Sequence, residues 1–481
     1  MSDPFAWLDA TAQAELVRKR EVSPLELVDA AIRRIETLNP ALNAVIIPLY
    51  EKARAAARDS RLPDGPFRGV PFVVKDMICH TAGDPFYEGM RFAHRLKWIE
   101  REDQHLATLF RQAGLVIVGK TNTPELGILP TTEPTLFGPT HNPWDPTRSP
   151  FGSSGGSAAA VASGMVPFAH ANDGGGSIRL PASACGLVGL KPSRGRVSLG
   201  PDLGDIASGI VTDGVVTRSV RDAATALDIM SVAAPGEPYG APPCARSFYE
   251  AAKLPPQQLR VGFVTTTPAG MFPTHPDCTA AGERAARLLE SLGHHVESAR
   301  PEAFDDPANF PHFVTRWTVY AGWSVDWWQR RTGMAVPLDK LEPTTRALTE
   351  TSRSFTAIQY LNAVEWHQLF SRRMARWWTE FDLLVTPTSA TIPPPLGETR
   401  AGEDQDPLAP LNRASLIAAF TAALNATGQP AISLPLHQTA AGLPVGVQLI
   451  AAYGREDLLL QVAAQLERAA PWASLRPVVT A

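Results

Sequence analysis

The sequence predicts an α/β fold built around a mixed β-sheet, and three observations carry that reading. Short apolar runs bounded by glycine and proline alternate from end to end with longer segments of helical period. The 481 residues are 44% hydrophobic and 19% charged, which is ordinary globular composition with material for a large core. Neither an internal repeat of fixed period nor a low-complexity linker interrupts the alternation.

Taken in order, roughly the first 60 residues read as helices. In SPLELVDAAIRRIETLN, Ser23 is the N-cap, Pro24 takes the first helical position, and Leu27, Ile32 and Ile35 build an apolar face. GVPFVVKD then reads as a buried strand ending near Lys75. DQHLATLFRQAG is a helix and LVIVGKT a strand. A loop rich in Pro, Thr and Asn fills 129–150, SSGGSAAAVASG is a tightly packed helix of small residues, and MVPFAHAND (165–173) is a strand entering the core. Further on, LRVGFVT is a strand, 276–292 a helix, FDLLVTPT, AISLPL and PVGVQLIA are strands, and EDLLLQVAAQLERA is a helix. TPTSATIPPPLGE (386–398) lies between elements of the same pattern and reads as a surface loop rather than a linker. In RWTVYAGWSVDWWQRR (316–331), Trp317, Tyr320, Trp323 and Trp327 fall near helical spacing. Core packing is the expected role there, with an aromatic wall for a substrate as the alternative.

Several function classes are disfavoured. The formal charge of -4 contains no long run of one sign, so neither nucleic acid nor an acidic membrane surface is an expected partner. The opening MSDPFAWLDATAQAELVRKR lacks the order of a secretory signal, and no apolar stretch approaches the ~18–20 residues that span a bilayer. A soluble cytoplasmic protein is the expectation. Cys79, Cys185, Cys244 and Cys278 are scattered, without a C-x-x-C pair. The histidines form no H-E-x-x-H, and His294 and His295, adjacent on a strand, would point to opposite faces. No metal site is expected.

Two Gly/Ser clusters stand close together, FGSSGGS (151–157) and NDGGGSIR (172–179). Gly152, Ser154 and Gly156 satisfy G-x-S-x-G, but a nucleophile elbow needs a buried strand just before its serine. NPWDPTRSPF, with prolines at 143, 146 and 150, is a poor one. Neither cluster has the spacing of a phosphate or dinucleotide loop. In the second cluster a strand runs into Gly174, Gly175 and Gly176, where no Cβ shields the backbone. Successive N–H groups in such a turn can converge on a developing oxyanion beside Ser177. A tight turn that merely lets strands approach explains the same residues. A serine nucleophile also needs a base. His170 could equally be a core residue of its strand, whereas Lys75, at the end of an apolar run, could serve if desolvation lowers its pKa.

GVPFVVKD, GKTNTPELG, HNPWDPTRSPFGSSGGSAAAVASG, NDGGGSIRLPASACGLVGLKPSRGRVS and TGQPAISLP…GLPVGVQLI together resemble the amidase signature family. They occur in the family's order, most densely over residues 69–198. The resemblance implies the amidase signature fold, a central twisted mixed β-sheet covered by helices on both faces. It implies a single domain over 1–481, with a helical segment at 1–64, a signature core at 65–235 and a C-terminal part at 236–481 that completes sheet and pocket. It implies a Ser–Ser–Lys triad, in which Ser177 is the acylated nucleophile, Ser153 the bridging serine with a cis peptide bond, and Lys75 the terminal base. Gly174, Gly175 and Gly176 would line the oxyanion hole. Asp173 and Arg179 flank the turn and read as an ion pair that holds its shape rather than as substrate contacts. Neither metal nor organic cofactor is implied, and the partner is a small amide, with a homodimer allowed.

Phe151 stands where many members have glycine and Asn172 where many have threonine or serine, and both departures bear on substrate preference. AGDPFYEGMRF, HANDGGGS and GLKPSRGRVS are most similar to the branch that cleaves amide bonds in nylon by-products. Linear or cyclic amides are thus the expected substrates, with aryl amides, carbamates and esters sharing the acyl-transfer path. The rivals are a glutaminase-type subunit of a tRNA-dependent amidotransferase, from which AGDPFYEGM departs, and a catalytically silent scaffold, against which the three triad residues speak.

Overall fold

The computed structural model describes residues 3–481. Eleven strands form one sheet. They are β1 (Val45–Pro48), β2 (Pro71–Lys75), β3 (Val116–Thr121), β4 (Phe168–Asp173), β5 (Val188–Lys191), β6 (Thr212–Thr217), β7 (Arg260–Phe263), β8 (His295–Ser298), β9 (Leu383–Pro387), β10 (Ala431–Gln438) and β11 (Pro444–Ile450). Their order in space is β1-β3-β2-β4-β6-β5-β10-β11-β9-β7-β8. The flanks are parallel, β3–β2–β4 on one side and β9–β7–β8 on the other. From β4 to β9 the central strands pair antiparallel, and β1 closes one edge antiparallel to β3. The sheet is mixed, as the alternation of runs predicts.

Alternate residues of a strand point to opposite faces, so the sheet supports two cores. Phe72, Val74, Phe168, Val215, Ile432 and Val447 face one, beneath helices Val220–Met230, Pro276–Ser291 and Glu456–Ala469. Val73, Ala169, Ala171 and Val216 face the other, against helices Pro24–Leu42, Gly155–Ala162 and Arg179–Cys185. Helix Pro24–Leu42 begins where the sequence places it. Ser23 Oγ accepts the Glu26 N–H, and Glu26 Oε2 accepts the Ser23 N–H at 2.8 Å, a reciprocal cap. Helix Gly155–Ala162 is made of small residues because backbone presses on it. A Cβ on Gly156 would lie 2.5 Å from the Asn122 nitrogen and 2.8 Å from the Ala44 carbonyl oxygen.

Some elements depart from the sequence reading. β1 lies inside the stretch read as helices; four residues ending in proline are too short to register a period. Its place at the sheet edge makes it a strand and tolerates the missing proline N–H. β5 and β6 occupy segments with no strand reading, and their pairing with each other and with β10 and β4 sets their conformation. Of the stretch 386–398, the first two residues end β9 and the rest is a loop whose beginning is not on the surface. Thr388, Ser389 and Ala390 are buried, and Ser389 Oγ donates to the Ile417 carbonyl at 3.0 Å. Among the described residues no helix is long and apolar enough to cross a membrane. Replacing Gly156 by alanine drives a methyl into main chain that cannot rotate away. The expected cost is about 1–3 kcal/mol, read as a lowered Tm; an unchanged Tm would contradict the close approach.

Candidate active site

β2 and β4 are parallel neighbours, with Val73 opposite Ala169, so their C-terminal ends lie side by side. That register brings Lys75 against Asn172. Lys75 is 0% exposed, and its Nζ lies 2.7 Å from Ser153 Oγ and 2.5 Å from Asn172 Oδ1. Asn172 Nδ2 donates to the Met77 carbonyl at 3.3 Å, which orients the amide so that its oxygen faces the lysine. Burial pulls the lysine down from its ordinary value to about 7, against the opposing pull of Asp213, Asp173 and Glu88.

Ser153 sits in the loop before helix Gly155–Ala162. The Gly152–Ser153 peptide bond is cis, and Phe151 has φ +58°. Thr132 Oγ1 donates to the Phe151 carbonyl at 3.0 Å and accepts the Gly155 N–H at 3.0 Å, clasping the loop from outside. Ser154 Oγ donates to the Asn172 carbonyl at 3.2 Å and accepts the Asn172 N–H at 3.3 Å. Ser154 therefore ties the serine loop to the end of β4, and no strand precedes it, as its proline-rich approach predicts.

Past Asp173 the chain turns through the three glycines to Ser177. Gly176 has φ +136°, and a Cβ there would meet Thr421 Oγ1 at 2.5 Å. The Asp173 carboxylate sits inside the turn, accepting the Gly176 N–H at 2.7 Å and the Ile178 N–H at 3.1 Å. Arg179 closes on it with Nη2 to Oδ1 at 2.8 Å and Nε to Oδ2 at 3.0 Å, both side chains fully buried. Burial alone would push the Asp173 carboxyl up; the guanidinium outweighs that and holds it at about 2. Gly176 departs from the expected oxyanion set, because its N–H is committed to Asp173. The N–H groups of Gly174, Gly175 and Ser177 carry no partner among the described residues.

A C-terminal set that the sequence reading misses locks this turn. Asn425 Nδ2 donates to the Asp173 carbonyl at 3.0 Å and to Asp173 Oδ1 at 2.9 Å, while its Oδ1 accepts Arg179 Nη2–H at 2.7 Å. Arg179 Nη1 donates to Gln448 Oε1 at 2.8 Å and to the Thr421 carbonyl at 3.1 Å. Thr421 Oγ1 donates to the Gly175 carbonyl at 2.6 Å. The only signal available was Gln448 within GLPVGVQLI; Asn425 and Thr421 lie outside every motif.

Ser177 is 8% exposed, and among the described residues no side chain hydrogen-bonds its Oγ. It opens on a cavity that is continuous with solvent. Lys75 and Ser153 do not line this cavity, although Ser153 Oγ lies close behind Gly127, which does. Its walls are apolar, with Phe304, Phe310, Phe313, Trp317, Leu180 and Leu411 prominent. Asp306 is the one charged lining side chain, held by Arg373 Nη1 at 2.7 Å.

Two expectations change here. Trp317 lines the cavity, so the aromatic wall describes it better than core packing does, whereas Tyr320 is buried. Phe151 and Asn172, read as bearing on substrate preference, line no part of the cavity. Phe151 is buried in the core behind the serine loop, and Asn172 is a partner of the lysine.

Fold and sequence together place the chain among hydrolases of C–N amide bonds. The Amidase family model matches residues 26–460, and the chain belongs to that family. It is 42% identical to a 6-aminohexanoate-cyclic-dimer hydrolase of Pseudomonas sp. (strain NK87), over 99% of this chain and 98% of that one. A solved structure of a 6-aminohexanoate cyclic dimer hydrolase superposes with a TM-score of 0.95 at 41% identity, covering all of both chains. The crystal structure of a bacterial aryl acylamidase of the amidase signature family gives 0.88 at 28% identity over 98% of each chain.

Arg179→Met leaves Asp173 as a buried charge without its guanidinium. The expected loss is about 3–5 kcal/mol of stability, and adding Asp173→Asn should recover part of it in a double-mutant cycle followed by thermal unfolding.

Proposed function

We propose that the chain cleaves carboxylic amides through an acyl-enzyme on Ser177, with Ser153 and Lys75 as the proton path. The observation that supports this most is the 2.7 Å approach of a fully buried lysine to Ser153, behind a glycine turn that presents Ser177 to an apolar cavity. With burial bringing the lysine to about 7, an appreciable share of it is neutral at neutral pH. Neutral Nζ takes the Ser153 proton, Ser153 Oγ takes the Ser177 proton, and Ser177 Oγ attacks the carbonyl carbon. Asn172 Oδ1 accepts an amine N–H, leaving the nitrogen lone pair to Ser153.

The tetrahedral oxyanion develops toward the unpartnered N–H groups of Gly174, Gly175 and Ser177, and Gly176 serves the shape of the turn. The proton returns along the same path to the amide nitrogen, the C–N bond breaks, and the amine leaves. Water then attacks the ester on Ser177 and releases the carboxylate.

The cavity favours an uncharged, largely apolar substrate, since its single lining charge is already paired. Similarity to a 6-aminohexanoate-cyclic-dimer hydrolase points to cyclic and linear aliphatic amides, and similarity to an aryl acylamidase to aryl amides. Carbamates (urethanes) and esters belong to the same reading because they share the acyl-transfer path.

A fluorophosphonate should label wild-type protein once, on Ser177, and failure to label would overturn the reading. Ser177→Ala should lose labelling and turnover while keeping its fold; Ser153→Ala should be heavily impaired yet retain the nucleophile. On a neutral anilide, kcat/KM should rise with pH through a midpoint near 7, the value burial gives Lys75. At pH 5 it should lie about 100-fold below the alkaline plateau. A flat profile would exclude the lysine as base.

A further inference from the structure

Three carboxylates act on Lys75: Asp213, Asp173 and Glu88. Two are engaged elsewhere. Asp173 is ion-paired to Arg179 and accepts two turn N–H groups. Glu88 accepts the Ile78 N–H at 3.2 Å and the Trp328 Nε1–H at 2.8 Å, and burial pushes its carboxyl up, toward the neutral acid.

Asp213 differs from both. It is fully buried on β6, opposite Asn172 in the antiparallel ladder with β4. Opposed residues project to the same side, so its carboxylate stands beside the amide that holds Lys75 Nζ. Neither of its oxygens takes a hydrogen bond from a described group. His170, two residues before Asn172 on the same face of β4, places Nε2 at 3.4 Å from Asp213 Oδ1. Both His170 nitrogens are likewise without hydrogen bonds. Cys79, on which Asp213 also acts, is fully buried, and burial pushes its thiol up, so it brings no charge.

We propose that Asp213 is a positioning residue for the reaction. Its carboxylate, free of protein hydrogen bonds, beside His170 and set across the ladder from Asn172, supplies the negative charge that keeps Lys75 an effective base. The inference rests on Lys75 being that base. Burial by itself favours the neutral amine, and an amine that holds a proton too weakly is a poor proton acceptor. A nearby fixed negative charge restores that affinity without touching substrate.

The test is kcat/KM on a neutral anilide across about pH 5–9 for the wild-type chain, Asp213→Asn and Asp213→Ser, with thermal unfolding of each. In Asp213→Asn the acid limb should move to lower pH by roughly one unit, while the alkaline plateau falls several-fold. Asp213→Ser removes the same charge with a smaller side chain, and its limb should move the same way should the asparagine protein fail to fold. A folded variant whose limb stays in place, or moves up, overturns the proposal. So does loss of folding in both variants, which would assign the carboxylate to the fold. A wild-type profile with no acid limb is a different result, for it removes Lys75 as base and leaves nothing for Asp213 to act on.

Discussion

Taking a lysine amine wholly out of water is the constraint that the site is organised around. A free ammonium in that position would be costly, and the cost shows as an amine brought to about 7 instead of its ordinary value. The surroundings must then do two opposed things. They must exclude water, which the buried ends of β2 and β4 accomplish, and they must leave enough polar company to hold a proton. Ser153 and Asn172 meet the amine directly, and Asp213 acts from across the ladder. Parallel pairing of β2 with β4 makes this arrangement available, since it sets two strand ends next to each other without a hairpin between them.

A second demand is stiffness at the glycine turn. Three successive glycines cost more entropy to order than any other residues, so the turn keeps one shape only if other groups hold it. The Asp173–Arg179 pair supplies the stiffness, bonding the turn's own N–H groups from inside while Asn425, Thr421 and Gln448 hold pair and turn from outside. Because both charges are buried and fully hydrogen-bonded, this pair is one whose disruption is expensive even where its net contribution is small.

How far this was legible in the amino-acid sequence follows from how local each feature is. Helix Pro24–Leu42 announces itself through its cap, and β2 and β4 through apolar runs, because those signals sit within a few residues. β1 and β5 are four residues each and are strands by virtue of their neighbours. At the site, NDGGGSIR alone leaves an ordinary glycine turn as a fair reading; five motifs in the family's order were needed to single out Lys75 and Ser153. Asn172 and Phe151 stood out as departures, but which way they point is set by packing, and that placed them behind the lysine instead of in the cavity. Trp317 was ambiguous for a related reason. A helix of period 3.6 with aromatics on much of its circumference does not reveal which side meets the core and which a cavity.

The brace on the turn also sets a timetable. Arg179 meets Gln448 across 269 residues of chain, so Ser177 is synthesised long before a residue that helps to fix the turn before it. At ribosomal rates of about 5–20 residues per second, Ser177 waits roughly 13–54 s for that partner. Through that interval β9, β10 and β11 are still being made, and Arg179 has no Gln448 Oε1 to hold. The outer part of the brace beside Ser177 is thus complete only once nearly all of the chain has been synthesised.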